Sequence, residues 1–197
     1  VMELKELLKK NRSYRGFDES CRFTKEQLAE FVDYTRYTPS SVNMQPLCYY
    51  LAYRQDQLDR IQPLTGWARA LPGLRLPRPG SRPTGFVVIC QDTRISGDLG
   101  RFQRDVGIVA ESILLAATEA GFGGCMIGNF SPAKIADALR LPAWYQPMLL
   151  VALGRPAEEI RLVPVSEQGT DYYRDEADIH YVPKRSLSDI LIEEESV

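Results

Sequence analysis

Apolar and polar positions alternate along this chain with two periods, and the switches between them mark its elements. Met2 to Lys10 places Leu4, Leu7 and Leu8 on one helical side, with lysines at the C-terminal end where they favour the dipole. Thr24 with Gln27 three residues on forms a capping box for a helix presenting Leu28, Phe31 and Val32, which Pro39 should end. Cys48 to Arg54 reads as a tyrosine-rich strand, and the apolar run Phe86 to Cys90 as a buried one. The strongest helical signal runs from Asp105 to Ala120, with Val106, Val109, Ile113, Ala116 and Ala117 as its stripe and Gly121 as its stop. Its small residues allow close packing, as a dimer core or as a buried central helix. Cys125 to Ile127 predicts a short strand. Ser131-Pro132 is an N-cap with proline at the first helical position, opening a helix through Arg140. Met148 to Leu153 is a further apolar strand, closed by Gly154. Alternation of helix and strand from 24 to 154 predicts an α/β or α+β fold, helices packed on a central sheet, with strand order left open.

Between Pro63 and Gly85 the pattern dissolves. Five prolines (63, 72, 77, 79, 83) and four glycines (66, 73, 80, 85) forbid a long helix or a central strand. A loop of this length in a compact domain is either a binding loop or lid, with Trp67 and Leu71 near a pocket, or a plain connection anchored by Trp67. Tyr172 to Val197 is acidic and aromatic, and Glu193 to Glu195 should be loose.

Composition narrows the function classes. The chain has 197 residues, 44% hydrophobic and 25% charged, enough for one sizeable core and one domain. A formal charge of −2 gives no basic face for nucleic acid. No apolar run approaches the roughly 18 residues of a membrane span, and no signal-peptide block opens the chain. The four cysteines (21, 48, 90, 125) are widely spaced, and the single histidine, His180, leaves little for a zinc site. The chain reads as cytoplasmic. Nucleophile elbow, Walker loop and metal cluster are all missing, so an enzyme of this composition would need a cofactor to carry its chemistry.

Two segments suggest one. Asn11-Arg12-Ser13-Tyr14-Arg15 offers two guanidinium forks and a hydroxyl just past a helix. Such forks match phosphate oxygens and keep their charge, although Arg12 and Arg15 also fit as solvated charges at a helix end. Pro39-Ser40-Ser41-Val42-Asn43-Met44-Gln45-Pro46 is a turn-rich loop whose Asn43 and Gln45 amides suit the edges of a planar ring. A phosphate at one end and a hydrogen-bonding ring at the other describe flavin mononucleotide (FMN).

With these motifs the chain resembles the FMN-dependent nitroreductases over nearly its whole length. The resemblance rests on Arg12 to Arg15, Pro39 to Pro46, the helix Asp105 to Ala120, Gly121 to Gly128, Leu153 to Pro156 and Pro183 to Leu187, in that order. Asn11 stands where members often carry arginine. The resemblance implies an α+β fold of three-layer type, a central, mostly antiparallel sheet flanked by helices, in a domain-intertwined homodimer. It implies one flavin-binding domain over 1–197, with 63–85 as a variable substrate-access loop and 172–197 closing on the FMN phosphate and the partner subunit. Arg12, Ser13 and Arg15 would serve phosphate, ribityl chain and ring. Pro39, Ser40, Ser41, Asn43 and Gln45 would belong to the loop that completes the neighbour's site. Backbone at Met126, Ile127 and Gly128 would face the ring, with Gly128 and Asn129 allowing close approach, and Lys184 and Arg185 would close on the phosphate. No side chain is expected to be catalytic. NAD(P)H would reduce the flavin, and a nitroaromatic or quinone would reoxidise it. The other readings are dehalogenation or flavin fragmentation on the same fold, a non-enzymatic flavin-binding module, and a cofactor-free interaction protein.

Overall fold

A computed structural model of the chain describes residues 2–68, 71, 73–167 and 169–192. Glu193 to Glu195, expected to be loose, lie outside the described residues. The chain divides into two compact units, Val1–Trp67 with Arg75–Ala157, and Ala68–Leu74 with Glu158–Val197.

In the first unit the helices are α1 (Leu4–Lys10), α2 (Lys25–Asp33), α3 (Gln55–Ile61), α4 (Gln103–Glu119) and α5 (Pro132–Leu139). The strands are β1 (Phe17–Asp18), β2 (Leu47–Ala52), β3 (Gly85–Asp92), β4 (Gly123–Ile127) and β5 (Tyr145–Pro156). They form one sheet in the order β1-β5-β3-β2, with β4 also pairing β5, and every ladder is antiparallel. All eight residues of β3 are buried, as a strand covered on both faces requires.

The period-2 alternation of β3 and β5 sorts the core into two layers. Val87, Ile89, Val151 and Leu153 pack with Leu28 and Phe31 of α2 and Val109 and Ile113 of α4. Phe86, Val88, Leu150 and Ala152 pack with Leu58 and Ile61 of α3 and Ile135 and Leu139 of α5. The sheet therefore lies between two helical layers. Each large apolar side chain buried this way contributes about 1.5–3 kcal/mol.

Local signals explain the element ends. Thr24 N donates to Gln27 Oε1 (2.9 Å) and Gln27 N to Thr24 Oγ1 (3.3 Å), the reciprocal capping box that opens α2. The α-helix closes at Asp33, and Tyr34–Tyr37 continues as a 3-10 turn, so the helix ends well before Pro39. Gly121, at φ 83°, ends α4: Phe122 N reaches Ala117 O (2.8 Å). Ser131 Oγ accepts from Lys134 N (3.4 Å) at the start of α5, with Pro132 in its first turn. Helix α3 has no end signal in the sequence; its N-cap is Arg54, whose backbone N donates to Gln57 Oε1 (3.0 Å) three residues on.

The second unit holds β6 (Ile160–Pro164), β7 (Tyr173–Arg174) and β8 (His180–Lys184) in a three-stranded sheet, β6 parallel and β7 antiparallel to β8. Within it the guanidinium of Arg174 pairs with the Glu158 carboxylate, both side chains only 6% exposed. Among the described residues no helix is long and apolar enough to cross a membrane.

Candidate functional site

Where α1 stops, the chain turns into an extended arm held against β4. Arg12 Nη2 donates to Leu8 O (2.7 Å), covering an open carbonyl of the last helical turn. Tyr14 OH does the same for Lys10 O (3.0 Å). Asn11 is buried and its amide donates to Glu111 Oε1 on α4 (2.8 Å). Ser13 bridges Gly124 in parallel, and Tyr14 N donates to Gly124 O (2.9 Å). Arg15 Nη1 donates to Ser13 O (3.2 Å). The arm carrying Arg12, Ser13 and Arg15 thus lies beside the strand that continues into Met126, Ile127 and Gly128.

The pairing depends on Gly124. A Cβ there would stand 2.3 Å from Ala152 O, so no larger residue fits against β5, and a Cβ on the neighbouring Gly123 would stand 2.5 Å from the Tyr14 ring of the arm. Four residues beyond Gly124, a Cβ on Gly128 would meet nothing within 4 Å. The tight glycines are therefore Gly123 and Gly124, and Gly128 borders open space. Ile127 is buried, while Met126 is partly exposed.

Arg12 is the most unusual group of this arm. Its Nε is buried and has no hydrogen-bond partner among the described residues. Burial pulls the guanidinium below its ordinary range, with the nearby Tyr14 hydroxyl and Glu111 carboxylate acting in the opposite sense. A buried cationic donor without an acceptor is costly, and an anion would remove that cost.

The Pro39–Pro46 loop stands on the first turn of α4. Ser40 Oγ donates to Asp105 Oδ2 (2.6 Å), and Ser41 N donates to the same oxygen (3.1 Å). Gln45 N in turn donates to Ser40 Oγ (3.0 Å). Val42, Asn43 and Gln45 hold positive φ (49°, 54° and 50°), each costing about 1–3 kcal/mol. Gln45 Nε2 donates to Asn43 Oδ1 (3.0 Å), so these two amides hold each other within the loop. Asp105, only 4% exposed, is the residue that orders it, yet in the sequence it reads merely as an acid in a helical first turn.

A second fastening joins the proline-rich segment to the residues after Gly128. Gly66 N donates to Asn129 O (2.8 Å), and Thr65 bridges Phe130. Trp67 follows directly, its Nε1 donating to Thr65 Oγ1 (2.8 Å).

In the second unit Lys184 ends β8, its carbonyl accepting from Val165 N (3.2 Å). The Arg185 guanidinium donates to Asp189 O. Both basic side chains are exposed. None of the four cysteines is joined in a disulfide. Among the described residues no cluster of three or more His, Cys, Asp or Glu side chains could hold a metal.

Comparison with known proteins agrees with this architecture. The pattern of the nitroreductase family matches residues 8–70 and 74–155. The chain belongs to the nitroreductase family. A Bacillus subtilis (strain 168) protein provisionally named NAD(P)H nitroreductase YdgI is 22% identical over 185 residues, 78% of this chain and 88% of its own. A Cr(VI) reductase of Pseudomonas sp. (strain G-1) is 22% identical over 179 residues, 82% of this chain and 70% of its own. Among solved structures, an FMN-dependent nitroreductase of Clostridium difficile R20291 aligns with a TM-score of 0.62 at 20% identity, covering 79% of this chain and 89% of its own. That likeness extends to the fold.

Proposed function

We propose that this chain is an FMN-dependent oxidoreductase that takes a hydride from NAD(P)H and delivers it to an electron-poor acceptor such as a nitroaromatic or quinone. It would work in the cytoplasm as a homodimer with its sites at the subunit interface. The observation that carries this reading is the Ser13–Gly124 pairing, which lays a cationic arm beside a strand ending in open space at Gly128. This reading assigns no catalytic side chain along that path; bound FMN would supply the two-electron carrier.

The residues present fit the group. Arg12, with a buried Nε awaiting an acceptor, would take a phosphate oxygen. Ser13 would offer its hydroxyl to the same end, and Arg15 a cation to the pyrimidine side of the ring. Backbone at Met126 to Gly128 would pack against the ring, because the face at Gly128 is clear. Pro39, Ser40, Ser41, Asn43 and Gln45 would complete the partner's site, and Lys184 and Arg185 would close on the phosphate. The named relatives support the same reading, being an NAD(P)H nitroreductase by provisional name, a Cr(VI) reductase and an FMN-dependent nitroreductase.

The test is a visible spectrum of the purified protein after soaking with FMN and desalting, repeated after anaerobic NADH and NADPH. Retained flavin bands that bleach with either nucleotide are expected. A colourless protein overturns the reading, and so does unchanged flavin content in an Arg12→Ala, Arg185→Ala double variant for the phosphate assignment.

A further inference from the structure

Beyond the fastening at Gly66, the first unit contains a cavity of about 410 Å³ walled by Gln62, Thr65, Trp67, Arg75, Arg82 and Asp59, among others. That volume lies within the range of small-molecule sites. Three side chains of its wall, Arg75, Arg82 and Gln62, carry polar groups without a partner among the described residues, and a fourth, Trp67, is oriented. Arg75 and Arg82 are exposed, and neither guanidinium has a hydrogen-bond or ion-pair partner among the described residues. Gln62 Oε1 is buried and has no donor among them. Trp67 has its indole N–H fixed on Thr65, so the orientation of its ring is set.

The charges do not cancel within the cavity. Asp59 is its only lining carboxylate among the described residues, and Asp59 already accepts from Gln55 Nε2 (2.7 Å). Two planar forks then face one acid. Glu19, which stands near Arg82, accepts from the Arg82 backbone N (2.7 Å) rather than from its guanidinium.

We infer that this cavity binds a planar ring bearing an anionic group and a hydrogen-bond donor. The ring stacks on Trp67, the anion takes the forks of Arg75 and Arg82, and the donor satisfies Gln62 Oε1. Two sources have this chemistry, the phosphorylated adenosine end of NADPH and a hydroxyaromatic carboxylate acceptor. Either would be captured one residue from the Gly66–Asn129 hydrogen bond, which joins the cavity to the segment after Gly128. The inference rests on the flavin reading for its use in turnover, but binding to the cavity needs no flavin.

The chain has two tryptophans, so Trp144→Phe leaves Trp67 as the sole indole reporter. In that background Trp67 emission is titrated with adenosine 2′,5′-bisphosphate and with 4-hydroxybenzoate, and then with adenosine and phenol as uncharged counterparts. At least one charged probe should quench saturably, and its affinity should exceed that of its counterpart about tenfold or more. An Arg75→Gln, Arg82→Gln double variant should lose that same factor, its fold checked by circular dichroism. A response to the bisphosphate alone assigns the cavity to NADPH, one to hydroxybenzoate alone assigns it to the acceptor, and a charge-dependent response to both supports the shared chemistry. No saturable quenching by either, or quenching that the double variant leaves undiminished, overturns the inference. Flavin absorbance read on the same samples separates the two proposals. Retained flavin without quenching rejects the cavity alone, and quenching without flavin rejects the flavin reading alone.

Discussion

Ser40 Oγ and Asp105 Oδ2 stand 2.6 Å apart and join residues 65 positions apart in sequence. Through this contact a loop with three positive-φ residues is held on the first turn of a buried helix. One carboxylate oxygen receives both Ser40 and Ser41, so the loop's conformation depends on a single side chain. Asp105→Ala should destabilise the protein by about 2–3 kcal/mol in urea unfolding, because two donors lose their acceptor at once. Asp105→Asn keeps a carbonyl oxygen there and should cost about half as much. Under the flavin reading both variants also lower FMN retention, in the same order.

The Asn11–Glu111 bond makes a separate claim. Asn11 is buried, and its amide is committed to α4. Asn11→Ala should therefore cost about 1–2 kcal/mol of stability, by leaving Glu111 without its donor. Asn11→Asp should cost more, since it sets two carboxylates against each other. Thermal melts at low and high salt check this, the aspartate variant recovering partly with salt.

Two glycines should respond differently to alanine. At Gly124 the added methyl would meet the Ala152 carbonyl at 2.3 Å, inside a sheet that cannot give way. Gly124→Ala should destabilise by about 3 kcal/mol or more. At Gly66 the added methyl would stand 1.8 Å from Asn129 Nδ2 and 2.6 Å from its Cγ, so it is a side chain and not a strand that must move. Gly66→Ala should cost less, about 1 kcal/mol, because only the Asn129 side chain must be displaced, while shifting KM for acceptors.

Burial pushes the Cys48 thiol up to about 11 and Cys90 to about 12, from an ordinary value near 9. Both groups keep their protons longer in the folded chain than in the unfolded one. Their contribution to stability is complete below pH 9 and is lost as pH rises through 11 to 12. Urea unfolding at pH 8, 9 and 10 should show stability falling only above 9. A Cys48→Ser, Cys90→Ala double variant should show a shallower fall.

The sheet was legible because β3 and β5 carry runs of apolar residues that only a doubly covered strand can use. Helices α2, α4 and α5 were legible because Thr24, Gly121 and Ser131-Pro132 are strong end signals. Helix α3 was not, since its N-cap is Arg54 and its apolar residues are only Leu58 and Ile61. Strands β6 and β8 carry Pro164 and Pro183, which in a sequence argue against strand and in the structure sit within it. At the candidate site the sequence pointed to the arm and the loop but not to what holds them. Asp105, Glu111 and Gly124 act through contacts 65, 100 and 111 residues distant (Ser40 to Asp105, Asn11 to Glu111, Ser13 to Gly124), and no local pattern encodes such a distance.

The Gly66–Asn129 clasp also bears on how this protein can diverge. It fixes one end of the proline-rich segment, and β3 fixes the other. Insertions between those fixed points meet only the slow rise of loop-closure entropy, about 0.6 kcal/mol for each doubling of length. A lineage can therefore rewrite the stretch from Trp67 to Thr84, even at greatly changed length, while the strand end at Gly128 stays in register. New ligand preferences become a matter of loop replacement, with the scaffold left untouched.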